Sequence, residues 1–244
     1  MKIAVSGKGG VGKTSITALL AQKFAETSKV LAVDADPSLN LATMLGITEP
    51  KPLSAMKTLV AERARMPGGL VRMNPKVDDL VDAYAQAVSK NLNLIVMGTV
   101  SGAGKGCLCP DNALLRSLLS NLVLKRGEFV VIDLEAGLEP MSRGTVRGID
   151  EFLIICEPTL NSVAVARRLA ELARELGVRR PLIVGNKVAD AQDAAFLSKN
   201  FDVFHDVPYD ESYVRQSRAG VYSADGLLPA SVRELAEKIQ KLPV

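Results

Sequence analysis

Tryptophan is absent from this chain, and the aromatic residues together make up 4% of it. With so few rings to stack on bases, an aromatic platform for single-stranded nucleic acid is not expected. Charge of one sign is also scarce. The formal net charge is +3 and the basic residues are scattered, so neither nucleic acid nor a membrane surface is expected as a partner. Cysteine occurs only three times, an odd number that points away from a disulfide framework and toward metal or redox chemistry. No run of about 18 or more apolar residues is long enough to span a bilayer. Lys2 is followed at once by an apolar strand and a glycine loop, which leaves no signal-peptide core there. The expected compartment is the cytoplasm.

What is present is an alternation of short elements. Apolar residues make up 48% of 244 residues, enough for a sizeable core at the upper end of one domain. Apolar runs recur at Ile3–Val5, Val30–Val33, Leu94–Met97, Phe129–Ile132, Phe152–Ile155, Leu182–Val184 and Val203–Val207. Most are apolar throughout, as parallel strands covered on both faces are. Helical patterns lie between them, such as Ala113–Leu124 and Val163–Leu176, the latter stopping at Gly177. The last pattern opens on Ser231 and Glu234, spaced as a capping box, with Val232, Leu235, Ala236 and Ile239 in one stripe. That stripe suits a helix docked on the sheet, or a membrane-binding tail. The fold class predicted is α/β, a doubly wound and mostly parallel sheet in one domain over residues 1–244, with ligands at the carboxyl ends of the strands. Residues 49–93 break the rhythm with Pro50, Pro52, Pro67, Gly68, Gly69 and Pro75, around a helix expected near Leu53–Arg65. An insertion there either carries specificity or elaborates the surface.

Gly7 to Thr14 read GKGGVGKT, directly after the first apolar run and directly before Ile16, Leu19, Leu20 and Phe24 at helical spacing. Strand, glycine loop and helix in that order are the context of a phosphate-binding P-loop. Gly9, Gly10 and Gly12, with Val11 between, let successive N–H groups turn inward around a phosphate. The following helix adds the positive end of its dipole. Lys13 would neutralise the β- and γ-phosphates, the Thr14 hydroxyl is placed to ligate Mg²⁺, and Ser15 completes the turn. ATP and ADP with Mg²⁺ are therefore the expected cofactors.

Lys8 is a second lysine inside the loop, which a simple P-loop does not require. The string KGGVGKT at 8–14 resembles the deviant Walker A of the MinD/ParA/nitrogenase-iron-protein class. That resemblance implies a lysine reaching the partner subunit's nucleotide, and hence a homodimer formed on ATP.

Carboxylates follow two of the strands. Asp34 and Asp36 leave the strand Val30–Val33, and Asp133 leaves Phe129–Ile132. An acid at such a point can orient water or reach the Mg²⁺ shell. Asp133 fits a Walker B acid holding Mg²⁺ through water, and the resemblance gives Asp36 the role of positioning the attacking water. Gly137, in Leu134-Glu135-Ala136-Gly137, can bring its amide to the γ-phosphate. Asn186 matches the residue that pairs with adenine in related ATPases, beside Lys187. Residues 186–190 (NKVAD) also satisfy a GTPase-type pattern, but the Lys8 loop favours ATP. Pro208, Tyr209 and Asp210 would add contacts to the base.

Cys107 and Cys109 lie in a glycine-rich stretch after the Leu94–Met97 run. Thiols at i and i+2 cannot easily bond each other. One such pair offers a metal two ligands, and a two-fold dimer offers four, suiting Zn²⁺ or Ni²⁺. Cys156 sits within a strand and reads as core. With the loop at 8–14, the string NPKVDDL at 74–80, the cysteine pair with Pro110 to Arg116, EAGLE at 135–139 and RGT at 143–145, the chain resembles the CooC-type ATPases along essentially its whole length. That family matures nickel carbon monoxide dehydrogenase, with paralogues serving acetyl-CoA synthase. The resemblance implies a client enzyme of that kind. With His205 the only histidine, nickel would be carried at the cysteine pair and not hoarded. A positioning ATPase of the ParA/MinD kind and an iron–sulfur assembly ATPase remain open readings.

Overall fold

The computed structural model describes residues 1–64, 70, 79–98, 117, 128–135, 149–218, 220 and 226–243. Among them the strands are β1 (Lys2–Gly7), β2 (Val30–Ala35), β3 (Gln86–Ala87), β4 (Leu92–Val96), β5 (Phe129–Leu134), β6 (Glu151–Cys156), β7 (Leu182–Val188) and β8 (Val203–Pro208). They form one sheet in the order β3-β4-β2-β5-β1-β6-β7-β8. All pairings are parallel except the two-residue edge strand β3, which runs antiparallel to β4. This is the doubly wound α/β architecture expected from the sequence.

The helices are α1 (Lys13–Ala25), α2 (Asn40–Met44), α3 (Lys57–Ala64), α4 (Leu80–Tyr84), α5 (Leu160–Glu175), α6 (Ala191–Asn200), α7 (Glu211–Arg218) and α8 (Leu227–Gln240). Both faces of the sheet are covered, which is why its strands lack a polar alternate. Ile3 and Val5 join Ile16, Leu20 and Phe24 of α1 and Val232, Leu235 and Ile239 of α8 in one core. Ala4 between them faces the other core, with Phe152, Ile154 and the α5 residues Val163, Ala166 and Leu169. Phe24 stacks flat on Phe129 at a centroid distance of 4.3 Å. Cys156 is buried in the second core, as its strand setting predicted.

Local chemistry fixes the helix ends. Thr159 caps α5 by accepting from the Ser162 amide. At its other end Val178 N–H reaches Ala173 and Gly177 N–H reaches Arg174, with Gly177 at φ 96°. That is a Schellman stop, as the glycine implied.

The last helix departs from expectation. It begins at Leu227, so Ser231 lies inside it and forms no capping box. Pro229 sits in the first turn, where a missing N–H costs nothing, and this allows the earlier start. The Ser231 hydroxyl instead meets His205 Nε2 at 2.9 Å. The apolar stripe of α8 is buried against α1 and the sheet, so the docked reading holds over the membrane tail. No helix among the described residues is long and apolar enough to cross a membrane.

In the 49–93 segment a short 3₁₀ turn, Leu53–Ala55, is tied to the carboxyl end of β4 by Ser54 N–H to Met97 O at 3.0 Å. That turn therefore sits at the carboxyl edge of the sheet.

Candidate nucleotide site

β1 lies at the switch point of the sheet, between β5 and β6, and the glycine loop leaves its carboxyl end. Gly10 takes φ 81° and Gly12 φ 96°, with Gly12 as the residue before α1. A side chain at Gly12 would be strained, and its Cβ would run into the Asn186 amide. Lys13 is buried, with Nζ 3.4 Å from Lys8 O. Burial lowers its pKa, and the carboxylates of Asp133, Asp36 and Glu135 pull it back up. Ser15 Oγ turns to Met44 Sδ at 3.9 Å, toward α2 and away from the loop.

Behind the loop stand two buried carboxyls. Asp34 and Asp133 are opposite one another across β2 and β5, and both are fully buried. Thr14 Oγ1 donates to Asp133 Oδ2 at 2.7 Å, and Thr17 Oγ1 lies 3.5 Å from the other oxygen. Burial pushes Asp133 up to about 7, helped by the charge of Asp34 and opposed by the Thr14 hydrogen bond. Burial likewise lifts Asp34 to about 6, although the amides of Ala42 and Asp36 donate to it. Two carboxyls that resist ionisation side by side are a place where a divalent cation is electrostatically welcome. Hydroxyl and carboxylate oxygens are the hard donors that Mg²⁺ takes, so the residues fit that ion. Asp36 sits further out, its Oδ1 engaged by the Ser38 amide at 2.9 Å and by the Ser38 hydroxyl.

The third wall comes from β7, which bulges between Gly185 and Val188 as it leaves the sheet. Asn186 is buried and donates its amide to Val11 O at 2.6 Å. Its Oδ1 meets no hydrogen-bond donor among the described residues. Lys187 adopts φ 60°, uncommon for a residue with a side chain, and its Nζ reaches Gly10 O at 2.7 Å. The bulge thus sets two consecutive side chains on two consecutive carbonyls of the loop. Asp190, the acid of the NKVAD pattern, caps α6 by accepting from Gln192 and Asp193. That role accounts for it without a guanine.

Beyond β8, Pro208 is half-buried and Tyr209 is 45% exposed at the same edge. Asp210, expected beside the base, is engaged by two helix N-termini. Its Oδ1 accepts from Tyr213 N–H at 3.0 Å, capping α7, and its Oδ2 accepts from Leu228 N–H at 3.0 Å, capping α8. Burial would raise this carboxyl, but the amides of Leu228 and Tyr213 and the Ser212 hydroxyl hold it below its ordinary value. Both oxygens thus accept from protein donors.

Residues 2–220 match the family model of the CobQ/CobB/MinD/ParA nucleotide-binding domain. The chain belongs to that family. It is 38% identical over 242 residues to the carbon monoxide dehydrogenase accessory protein CooC of Rhodospirillum rubrum, covering 94% of this chain and 91% of that protein. An uncharacterised ATP-binding protein of Methanocaldococcus jannaschii is 40% identical over 232 residues, 90% of each chain. Of solved structures, the cell division ATPase MinD of Pyrococcus furiosus superposes with a TM-score of 0.72 at 21% identity, covering 99% of both chains, which bears on the fold alone. The CooC-type resemblance carried by the motifs is therefore supported over nearly the whole length.

Within this CooC-type member, the structure brings the loop residues Lys8, Gly10, Val11, Gly12, Lys13 and Thr14 together with Asp133, Asn186 and Lys187. Gly137, Cys107 and Cys109 lie outside the described residues. Three participants escaped the sequence reading: Asp34 as the buried partner of Asp133, Thr17, and Glu157. Glu157 receives Lys8 Nζ at 3.5 Å and Lys187 Nζ at 3.2 Å. The signal was available, since Glu157 is an acid directly after a strand that flanks β1, as Asp133 nearly is.

Proposed function

We propose that this chain is a Mg²⁺-dependent ATPase that pairs with a second copy on ATP and supports nickel insertion into carbon monoxide dehydrogenase. The observation that carries the ATPase reading is the contact of Thr14 with buried Asp133 directly beneath the loop that presents Lys13. Bound Mg²⁺ would offset the charge of the terminal phosphates, held by Thr14 and, through water, by Asp133. Lys13 would neutralise the phosphates, and the amides of Gly9, Gly10, Gly12 and Gly137 would cradle them. Asp36 would orient the attacking water. The unmet Asn186 Oδ1 is an acceptor suited to the exocyclic amine of adenine, whereas guanine presents an acceptor at that position. Pro208 and Tyr209 would flank the base.

The client follows from the CooC relative and from the cysteines. Cys107 and Cys109 of two copies would supply four thiolates to nickel, the cargo, and ATP turnover would change the dimer geometry to release it. Zn²⁺ can compete for the same thiolates. We place the activity in a single domain acting in the cytoplasm. A test is anaerobic maturation of nickel-free carbon monoxide dehydrogenase with Ni²⁺, Mg-ATP and this protein. Activity should rise with the wild type and stay at background with Cys107→Ser/Cys109→Ser. Equal activation by that variant would remove nickel delivery from the reading and leave an ATPase.

A further inference from the structure

Three ammonium groups, those of Lys8, Lys13 and Lys187, gather at the glycine loop. One carboxylate serves two of them, with Lys8 Nζ 3.5 Å from Glu157 Oε1 and Lys187 Nζ 3.2 Å from Oε2. Glu157 is firmly based. Its N–H donates to Ser162 Oγ at 3.1 Å, and its carbonyl accepts from Thr159 N–H at 2.7 Å, so the first turn of α5 fixes where the side chain starts. Lys187 keeps a left-handed backbone that is unfavourable for a residue with a side chain. Two acceptors, Glu157 and Gly10 O, hold its ammonium there.

We propose that Glu157 is a stand-in anion that holds Lys8 until nucleotide phosphate displaces it. The proposal rests on the nucleotide reading above and adds its regulation. A single carboxylate holds both lysines. The triphosphate of a second copy, which the resemblance puts within reach of Lys8, brings several negative charges and competes with Glu157 for it. Lys187 stays seated on Gly10 O throughout, since that bond does not involve Glu157. Lys8 has no second acceptor among the described residues, so it is the lysine that is transferred. Nucleotide binding is therefore weaker than the bare loop would give, and the protein discriminates against anions that cannot outbid a carboxylate.

The test is calorimetric titration of a non-hydrolysable ATP analogue with Mg²⁺ at low and high KCl, on wild type, Glu157→Gln, Lys8→Met and the double variant. Glu157→Gln should bind about two- to five-fold more tightly at low salt, the scale of a half-exposed ion pair. The gain should shrink at high salt and vanish in the Lys8→Met background. Glu157→Asp, whose shorter arm cannot span both lysines, should shift affinity in the same direction and serves if the glutamine variant folds poorly. Unchanged or weaker binding in the Glu157 variants, or a gain that survives Lys8→Met, would overturn the stand-in. Failure of the wild type to bind the analogue at all would instead overturn the nucleotide reading and the stand-in with it.

Discussion

Thr14 and Asp133 are 119 positions apart and touch at 2.7 Å, the hydroxyl of the first helical turn donating to a buried carboxyl at the end of β5. That contact aligns the loop with the acid strand before any ligand arrives. Asp133→Asn keeps the shape and removes the charge. It should lower Mg²⁺ affinity or Mg²⁺-dependent ATP turnover about 10- to 100-fold, the usual loss for an outer-shell metal partner. Turnover measured across a Mg²⁺ series checks this, and an unchanged profile would remove Asp133 from the ion's surroundings.

Gly12 is the loop position least able to change. Its φ of 96° and the Asn186 amide against its Cα both exclude a methyl group. Gly12→Ala should displace Asn186 from Val11 O and reduce ATP binding at least ten-fold. The folded sheet should remain, as read by circular dichroism. Retained affinity would show that the loop rearranges when it binds.

Asp210 ties two helices together through both carboxylate oxygens. Asp210→Ala removes side-chain caps from α7 and α8 and should cost about 1–3 kcal/mol. Nucleotide affinity should stay within two-fold at temperatures where the variant is folded. A large affinity loss without destabilisation would restore Asp210 to the base site.

His205 introduces a pH dependence away from the nucleotide. Its Nε2 faces Ser231 O and Oγ, and its Nδ1 accepts from Lys238 at 3.1 Å. Burial, then the Lys238 charge, lowers its pKa from 6.5, although Glu234 and Asp206 favour the charged form. Below 6.5 the unfolded chain takes up the proton before the folded one does. The stability His205 confers is thus complete above 6.5 and is lost as pH falls through the lowered value. Thermal unfolding from pH 7.5 to 5 should show the wild type losing more stability than His205→Gln. Parallel curves would contradict this.

The sequence showed the strands because both faces of the sheet are buried, and it showed the loop because GKGGVGKT depends on local backbone geometry alone. It misplaced the start of α8. Ser231 and Glu234 have capping-box spacing, but the helix is capped from a distance by Asp210 and admitted by Pro229. No local pattern encodes such a contact. Glu157 was legible as an acid directly after a strand, but its partners, 149 positions upstream at Lys8 and 30 downstream at Lys187, were not. Asp34 was visible as an acid after a strand. Only the register of β2 against β5 shows that it confronts Asp133.

Whether ATP and nickel meet in one dimer is read by anaerobic nickel titration with and without Mg-ATP. One Ni²⁺ per two chains, a dimer by light scattering in the presence of Mg-ATP, and loss of the metal in Cys107→Ser/Cys109→Ser with ATP binding intact are expected. ATP-driven dimers that take up no nickel, or nickel bound equally well by the double variant, would contradict the proposal.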